Sequence, residues 1–338
     1  MKKTVLASVI AGIAFSGQAF AVELYNSEGT TFSFGGHISM GIGNDGNDDL
    51  VVQSISPRIN ISGTQDMGNG FKADFKGEWG FRPLKDKGVD SNGDEFEKDA
   101  FFTRLGYIGV SHDTWGRASG GTEWSPYYDV AGIADMPIAF ANDFLYVQGG
   151  TLGSSRAERI VAYRKTFMFG ENLDLNLGAG WQGQNGAYGD RAQLALSFDL
   201  GEINVGYAFS TGSVTGQNDD AMGNTLSAKY GSYGDGLFVA AVYEMGSDFR
   251  NAIGGPAYDS TSVEAIAAFA LANSLNFSLN YESHEDDDSS ITVISQMALQ
   301  VEYNFTPAFM GYAGYQLDLG DDVSSDDDLY ALGVRYYL

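Results

Sequence analysis

The chain alternates apolar residues with polar or small residues over short segments from one end to the other. In the last segment, 329–338, every even position is apolar or aromatic, whereas the odd positions include two small residues and Arg335. Successive side chains of a β-strand point to opposite faces, so each segment has an apolar and a polar face. This repetition without a long helical segment predicts an all-β fold, a closed antiparallel barrel that crosses a membrane with water inside.

The strands and their connections can be counted. Seven tight turns alternate with eight longer polar loops, which gives about sixteen strands of membrane-spanning length. Short periplasmic turns and long outer loops are typical of outer-membrane barrels, and sixteen strands enclose an aqueous channel. We therefore expect residues 22–338 to form one 16-stranded antiparallel transmembrane β-barrel. The clearest strands lie at 32–42, 55–61, 71–79, 173–177, 194–198, 203–209, 237–243, 275–281, 297–305 and 329–338.

The first 21 residues have the features of a secretory signal peptide. Lys2 and Lys3 precede an apolar run over 5–15, and a small-x-small cleavage sequence ends at Ala21. Cleavage there removes two lysines, so the formal net charge of −25 becomes −27. No later segment approaches 18 uninterrupted apolar residues, so no transmembrane helix is expected. An exported chain with barrel alternation and no such helix indicates a bacterial outer membrane.

Aromatic residues and cysteine usage narrow the fold class. The 19 Tyr and 22 Phe suit the aromatic girdles of a membrane barrel, and the absence of cysteine excludes a disulfide framework. A soluble solenoid or a set of secreted sandwiches is the alternative. We disfavour it because Tyr and Phe lie on the strand face opposite the polar residues.

The longest loop, 124–155, differs from the others because it carries many large apolar residues, from Tyr127 to Tyr146. A loop of this content should pack against a surface, and the barrel lumen offers one. Folded inward, the loop would narrow the channel and bring Asp129, Asp135 and Asp143 near the pore. Packing against neighbouring loops or another subunit is the alternative.

Several segments resemble one family. The sequence Val-Glu-Leu-Tyr-Asn at 22–26, the segments 103–110, 128–136 and 156–164, and the aromatic C-terminal strand are similar to those of the general diffusion porins of Gram-negative bacteria. The resemblance spans the mature chain and is strongest up to Lys165. It implies a sixteen-stranded homotrimer in which each barrel conducts small hydrophilic solutes.

The resemblance also implies a constriction at which basic side chains on one wall face acids on the third loop. Arg58, Arg104 and Arg156 stand at the positions of the family's wall arginines, and His37 stands where a wall lysine is common. Asp135 matches the first loop acid. Alternation independently places Arg58 and Arg104 on the polar face of their strands, because the lipid face excludes charge at mid-depth.

The loop departs from the family pattern after Asp135. Ala139 replaces the usual glutamate, and the two glycines that follow the phenylalanine are absent. The acid side of the constriction is weakened unless Asp143 or Asp129 compensates. The course of the loop is open at this point.

Acidic runs in the outer loops suggest which ions the pore prefers. Together with the net charge they should make the outer mouth negative, which concentrates cations, most strongly at low salt. We therefore expect cation selectivity and no nucleic-acid partner. The runs could also hold divalent cations that bridge to lipopolysaccharide, but a solvated acidic surface is the simpler interpretation and no metal site is assigned. They comprise Asp45, Asp48, Asp49, Glu285 to Asp288, Asp321, Asp322 and Asp326 to Asp328.

Enzyme classes are disfavoured by the positions of the histidines. His37, His112 and His284 fall on a mid-strand wall, a periplasmic turn and an outer loop. Separated in this way they cannot meet one serine or one metal ion. We therefore expect no catalytic residue and no cofactor.

Two other functions remain open. In a channel specific for oligosaccharides, aromatic rings of the long loop would stack on sugars along the path. An adhesive or structural barrel would bind its ligand on the outer loops and conduct little. The rings available to a sugar channel are Trp124, Tyr127, Tyr128, Phe140, Phe144 and Tyr146.

Overall fold

The computed structural model describes residues 21–44, 49–84, 87–89, 95–142, 144–146, 149–215, 220–251, 257–272, 274–322 and 328–338. The predicted signal peptide lies outside these residues except for Ala21, so its cleavage stays a prediction. Among the described residues, no helix combines the length and the apolar character needed to cross a membrane.

Short-period alternation produces strands along nearly the whole chain. Within the described residues they are β1 Ala21–Ser27, β2 Thr30–Asn44, β3 Leu50–Gln53, β4 Arg58–Gly68, β5 Phe71–Phe81, β6 Lys87–Val89, β7 Glu95–Glu97, β8 Phe101–His112, β9 Gly116–Trp124, β10 Arg156–Met168, β11 Leu173–Gln182, β12 Tyr188–Leu200, β13 Ile203–Val214, β14 Ala221–Ser232, β15 Asp235–Asn251, β16 Ala257–Ala270, β17 Leu275–Asp286, β18 Ile291–Thr306, β19 Phe309–Asp318 and β20 Leu329–Tyr337. Two short helices, α1 Pro126–Ala131 and α2 Gly149–Leu152, and the 3₁₀ turns Gly132–Ala134 and Phe144–Tyr146 lie between β9 and β10.

These strands fill sixteen positions of a closed antiparallel barrel, as predicted. Neighbours along the chain pair with each other, and β2 closes the barrel by pairing with β4 and β20. Strand β1 continues the line of β20, since Ala21 pairs with Gly35 and Tyr337 pairs with His37. Strand β3 continues the line of β4 along the other side of β2, and β6 and β7 form a separate hairpin.

The two faces of the barrel differ as the alternation requires. On β12, Leu194 and Phe198 are exposed on the outer face, whereas Gln193 and Ala195 are buried on the inner face. The exposed apolar face suits lipid, and the closed ladder of the described barrel strands leaves no open sheet edge in the membrane. Turns at one end are short: Asn69 and Gly70 alone join β4 to β5, both with positive φ, as tight hairpin turns require.

Two sequence predictions were wrong in detail. The strand predicted over 55–61 begins at Arg58, because residues 54–57 interrupt the line between β3 and β4. Pro57 has no N–H to donate to a strand ladder. His284, predicted on an outer loop, lies in β17, where its ring is buried against Tyr258 and Ser262. The outer ends of the strands therefore extend further than hydrophobicity alone indicates.

Candidate pore constriction

The inward segment between β9 and β10, described over residues 125–142, 144–146 and 149–155, folds into the barrel. It starts with α1, where the Ser125 hydroxyl accepts a hydrogen bond from the N–H of Tyr128 and Pro126 occupies the first turn. Tyr127 is fully buried against the inner wall. Its hydroxyl lies 2.5 Å from that of Thr225 and donates to Glu244 at 2.7 Å. The predicted inward fold is therefore confirmed.

The rest of this segment is fastened to inward-facing side chains of β17 and β18. Three of its backbone N–H groups donate to side-chain oxygens of that wall, where unpaired N–H groups would be costly. The bonds run from Ile138 to Glu302 at 3.0 Å, from Ala139 to Gln300 at 2.8 Å and from Phe144 to Glu282 at 2.5 Å. The segment is thus held at defined points within the lumen.

Asp135 follows the first 3₁₀ turn of this segment and carries a half-buried carboxylate. Its Oδ2 accepts a hydrogen bond from the Tyr128 hydroxyl at 2.5 Å and another from the Tyr146 hydroxyl. The Tyr128 ring in turn stacks on Trp124, with ring centroids 4.2 Å apart. Two phenols and an indole therefore fix the position of the carboxylate.

Burial has the largest effect on the pKa of Asp135. It raises the pKa of Asp135 above that of an exposed aspartate. The hydrogen bonds from Tyr128 and Tyr146 and the positive charges of Arg156 and Arg58 oppose that rise. Asp135 therefore lies within electrostatic reach of two of the predicted wall arginines.

The predicted basic residues come together on the wall formed by β20, β2, β4 and β8 and the start of β10. His37 pairs in register with Arg58 across β2 and β4, and its ring meets that of Tyr337 edge-on at 5.8 Å. Arg104 projects from β8, and Arg156 begins β10. The charges of Arg58, Arg104 and Arg156 act on one another, and those of Arg58 and Arg104 also act on the buried ring of His37.

Glu78 of β5 lies between two of these arginines. Its Oε1 accepts a hydrogen bond from Arg104 Nε at 2.9 Å and lies 3.7 Å from a terminal nitrogen of Arg58. Lys76 Nζ lies 3.4 Å from Oε2. Since like charges in a partly dry wall repel strongly, this buried carboxylate is what keeps the two guanidinium groups close together.

Arg156 connects the basic wall to the inward segment. Its guanidinium carbon lies 5.4 Å from the ring centre of Trp124 and 5.2 Å from that of Tyr146. A cation over an aromatic face is attracted by the ring quadrupole. Tyr146 therefore contacts both the basic Arg156 and the acidic Asp135, and the two sides of the constriction meet at this ring.

The two acids predicted to compensate for Ala139 have different outcomes. Asp129 forms an ion pair with Arg164, whose Nε donates at 2.6 Å and whose second nitrogen donates to the Trp124 carbonyl at 2.6 Å. Its charge is thus balanced by Arg164 and not directed at the basic wall. Asp143 lies outside the described residues, so its role stays a prediction.

Ala139 itself does not face the water path. It is buried against Tyr312 and Ala331 of the wall. The next residue, Phe140, has a φ of 42°, a left-handed conformation that residues other than glycine seldom adopt. The loop therefore makes its bend at Phe140 without the family's glycines.

The sequence reasoning missed Arg335, Glu78 and the phenol pair on Asp135. Arg335 Nε donates to the Ser39 hydroxyl at 2.9 Å, and its charge acts on His37 and Arg58. Its odd position in the last strand already placed it on the polar face, so alternation could have identified it. The phenol pair has no sequence signal, because residues 128, 135 and 146 meet only through the fold of the segment.

The remaining polar clusters do not form a metal centre. Within the ranges that the structure describes, no group of three or more His, Asp or Glu side chains is placed to hold a metal ion.

Of the six aromatic rings considered for a sugar path, Tyr127 and Phe144 are buried in packing, whereas Trp124, Tyr128, Phe140 and Tyr146 are partly exposed. A closed sixteen-stranded barrel crossed by a charged, inward-folded segment defines a channel of the outer-membrane type.

Comparisons with known proteins give the family. The model of the family described as Gram-negative porin matches residues 5–323. Outer membrane protein F of Serratia marcescens is 24% identical across 99% of both chains. OmpF of Salmonella typhi, solved as a complex with daunomycin, is 19% identical with a TM-score of 0.77 over 94% of this chain and 100% of that one. An anion-selective porin from Comamonas acidovorans is 15% identical with a TM-score of 0.65 over 91% and 100% of the two chains.

The chain therefore belongs to the Gram-negative porin family. It is an outer-membrane protein of a Gram-negative bacterium and forms a passive diffusion pore, and like the rest of this family it is a channel and not an enzyme.

Proposed function

We propose that the pore passes small hydrophilic solutes and ions through a transverse electric field and prefers cations. The observation that carries this proposal is the arrangement of Asp135 opposite the basic wall. Its carboxylate is fixed by two phenols within electrostatic reach of Arg156 and Arg58. The constriction residues of the proposal are His37, Arg58, Arg104, Arg156, Arg335 and Asp135, with Asp143 as a further predicted acid.

A field between an acid and a cluster of cations selects solutes by polarity. Water in the constriction is oriented by both sides, so an apolar solute must displace ordered water from charged groups, at a cost in free energy. A dipolar solute can align with the field, so its entry into the constriction costs less free energy. The pore should therefore favour small polar solutes over apolar ones of equal size.

Acids at the outer ends of the strands support a preference for cations over anions. The outer ends of the strands carry many acids, among them Asp259, Glu285, Asp286 and Asp322, most of them solvent-exposed. A negative mouth raises the local concentration of cations before they reach the basic wall. The same fold forms an anion-selective porin in Comamonas acidovorans, so the fold alone does not determine this sign.

The oligomeric state and the lipid contacts of the barrel are inferred from the family. We infer a homotrimer of barrels, each with its own pore, surrounded by outer-membrane lipid. The acidic outer ends would meet lipopolysaccharide, whose phosphates they could approach through bridging divalent cations. Small hydrophilic solutes and cations pass through the pore, and no resident cofactor takes part.

Planar-bilayer recording of the wild-type protein tests this function. With a KCl gradient across the bilayer, we expect three equal conductance steps per insertion and a reversal potential that favours potassium. A closed trace would favour an adhesive barrel, and block by micromolar oligosaccharide would favour a sugar-specific channel through the partly exposed rings of Trp124, Tyr128 and Tyr146. A chloride-favouring potential would contradict the proposed selectivity alone.

A further inference from the structure

The interruption between β3 and β4 places a strained residue on the basic wall. Ser56 has a φ of 50°, in the left-handed region, and precedes Pro57. Residues other than glycine seldom adopt this conformation, and a following proline disfavours helical backbone conformations further. Strain of this kind persists where the surrounding contacts require it, and it concentrates at functional sites.

The contacts of Ser56 explain what the strained conformation achieves. Its hydroxyl accepts hydrogen bonds from a terminal nitrogen of Arg58 at 2.8 Å and from one of Arg104 at 3.3 Å. Its carbonyl accepts a further hydrogen bond from Arg58 Nε at 3.2 Å. One exposed serine thus holds two guanidinium groups that project from different strands.

The same interruption also reaches a third arginine. The carbonyl of Ile55 lies 3.5 Å from a terminal nitrogen of Arg335, at the limit of a hydrogen bond. Glu78 contacts both arginines from the side of β5, through a hydrogen bond from Arg104 and an ion pair with Arg58, so the two guanidinium groups share two partners, a buried carboxylate and an exposed hydroxyl. Of these two partners, Ser56 is the one exposed to solvent.

We propose that Ser56 is a specificity-determining residue of the pore. By holding Arg58 and Arg104 on one hydroxyl, it limits how far their N–H groups extend into the path and how much positive charge a passing ion meets. This inference rests on the proposed function, because it assumes that ions pass along this wall. It differs from a direct charge effect, since serine carries no charge.

Two substitutions separate the hydroxyl from the backbone conformation. Ser56→Gly keeps the left-handed backbone without strain and removes the acceptor. Ser56→Asn also tolerates this conformation and supplies a side-chain carbonyl in place of the hydroxyl. The matched control is Ser54→Gly in the same interruption, since the Ser54 hydroxyl donates to the Ser39 carbonyl at 2.6 Å.

The readout is the ratio of potassium to chloride permeability, from the reversal potential in a KCl gradient. In Ser56→Gly the freed guanidinium groups turn towards water, and the ratio should fall by about twofold, as when a unit charge in water moves from about 7 Å to about 5 Å from the passing ions. Ser56→Asn should restore the ratio, and Ser54→Gly should leave it near the wild-type value. Far-ultraviolet circular dichroism checks that each barrel is folded.

An unchanged ratio in Ser56→Gly would overturn the proposal, and so would an equal fall in Ser56→Asn or Ser54→Gly. Recording Arg104→Ala in parallel separates this failure from failure of the proposed function. If Arg104→Ala changes the ratio while Ser56→Gly does not, ions pass this wall and serine has no part in their selection. If none of the variants changes it, the proposed constriction itself is contradicted.

Discussion

The hydroxyl of Tyr128 donates a hydrogen bond of 2.5 Å to the carboxylate of Asp135. This contact ties the acid side of the constriction to the first helix of the inward segment, because Tyr128 belongs to α1. Since α1 packs on the inner wall, the carboxylate is held by the barrel and not by a mobile loop tip. A single well-held acid can thus face the basic wall even though alanine occupies position 139.

The first prediction concerns pH. Burial raises the pKa of Asp135 above its ordinary value of 3.8, so as the pH falls its negative charge is lost at a higher pH than the charge of an exposed aspartate. The potassium preference should therefore decline on acidification at a pH where exposed aspartates are still ionised. Reversal potentials measured across a pH series give this dependence.

Asp135→Asn is the control for this pH dependence. In this variant the potassium preference should no longer decline at the higher pH at which Asp135 becomes protonated. It should still decline at lower pH, where exposed acids are protonated near their ordinary pKa. If wild type and variant follow the same curve, Asp135 is not the titrating group.

The second prediction concerns Glu78. Replacing it with glutamine leaves Arg104 and Arg58 without their shared buried carboxylate, so the free energy of unfolding should fall by roughly 3 kcal/mol or more, the usual cost of breaking a buried ion pair. Denaturant unfolding in detergent micelles measures it. Glu97→Gln, at an exposed position of β7, should change stability little, and an equal loss in both variants would refute the structural role of Glu78.

The third prediction concerns the fastening of the inward segment. Gln300→Leu keeps the side-chain size and removes the acceptor of the Ala139 N–H. An unpaired buried N–H costs about 1–3 kcal/mol, so the segment should leave this position more often, which raises open-channel current noise. Single-channel recording shows this noise. The control is Gln65→Leu, at an exposed position of β4. A Gln300→Leu channel with no more current noise than the wild type would contradict the account.

The fourth prediction concerns the acidic outer ends. Neutralising Glu285, Asp286 and Asp287 together should reduce the potassium preference, because the mouth then concentrates fewer cations. The reduction should be larger in about 0.1 M KCl, where the screening length is about 10 Å, than in about 1 M KCl, where it is about 3 Å. A loss independent of salt would indicate a structural effect of the substitutions.

The alternation of the sequence predicted the barrel well because lipid and water impose opposite demands on the two faces of every strand. The loop predicted over 124–155 agrees with the structure, in which β9 ends at Trp124 and β10 begins at Arg156. Its apolar content also predicted that it would fold inward. These features depend on period and composition, which the sequence displays directly.

Other features depend on contacts that the sequence does not display. The alternation continues through 55–61, so it conceals the interruption at Ser56, where proline chemistry and two arginines outweigh the strand pattern. Asp129 carries the same charge as Asp135, but its ion pair with Arg164 depends on the position of α1 against β10. Spacing alone could not distinguish these two acids.

Asp135 and the basic wall should act on passing ions with opposite signs. Asp135→Asn should shift the reversal potential towards chloride and Arg104→Ala towards potassium. Each substitution should change the permeability of either ion by about fourfold, in opposite directions for potassium and chloride, as for a unit charge about 5 Å away in water. Arg104→Lys, which keeps the charge, should remain closer to wild type. Shifts of the two variants in the same direction, or no shift in either, would contradict the account.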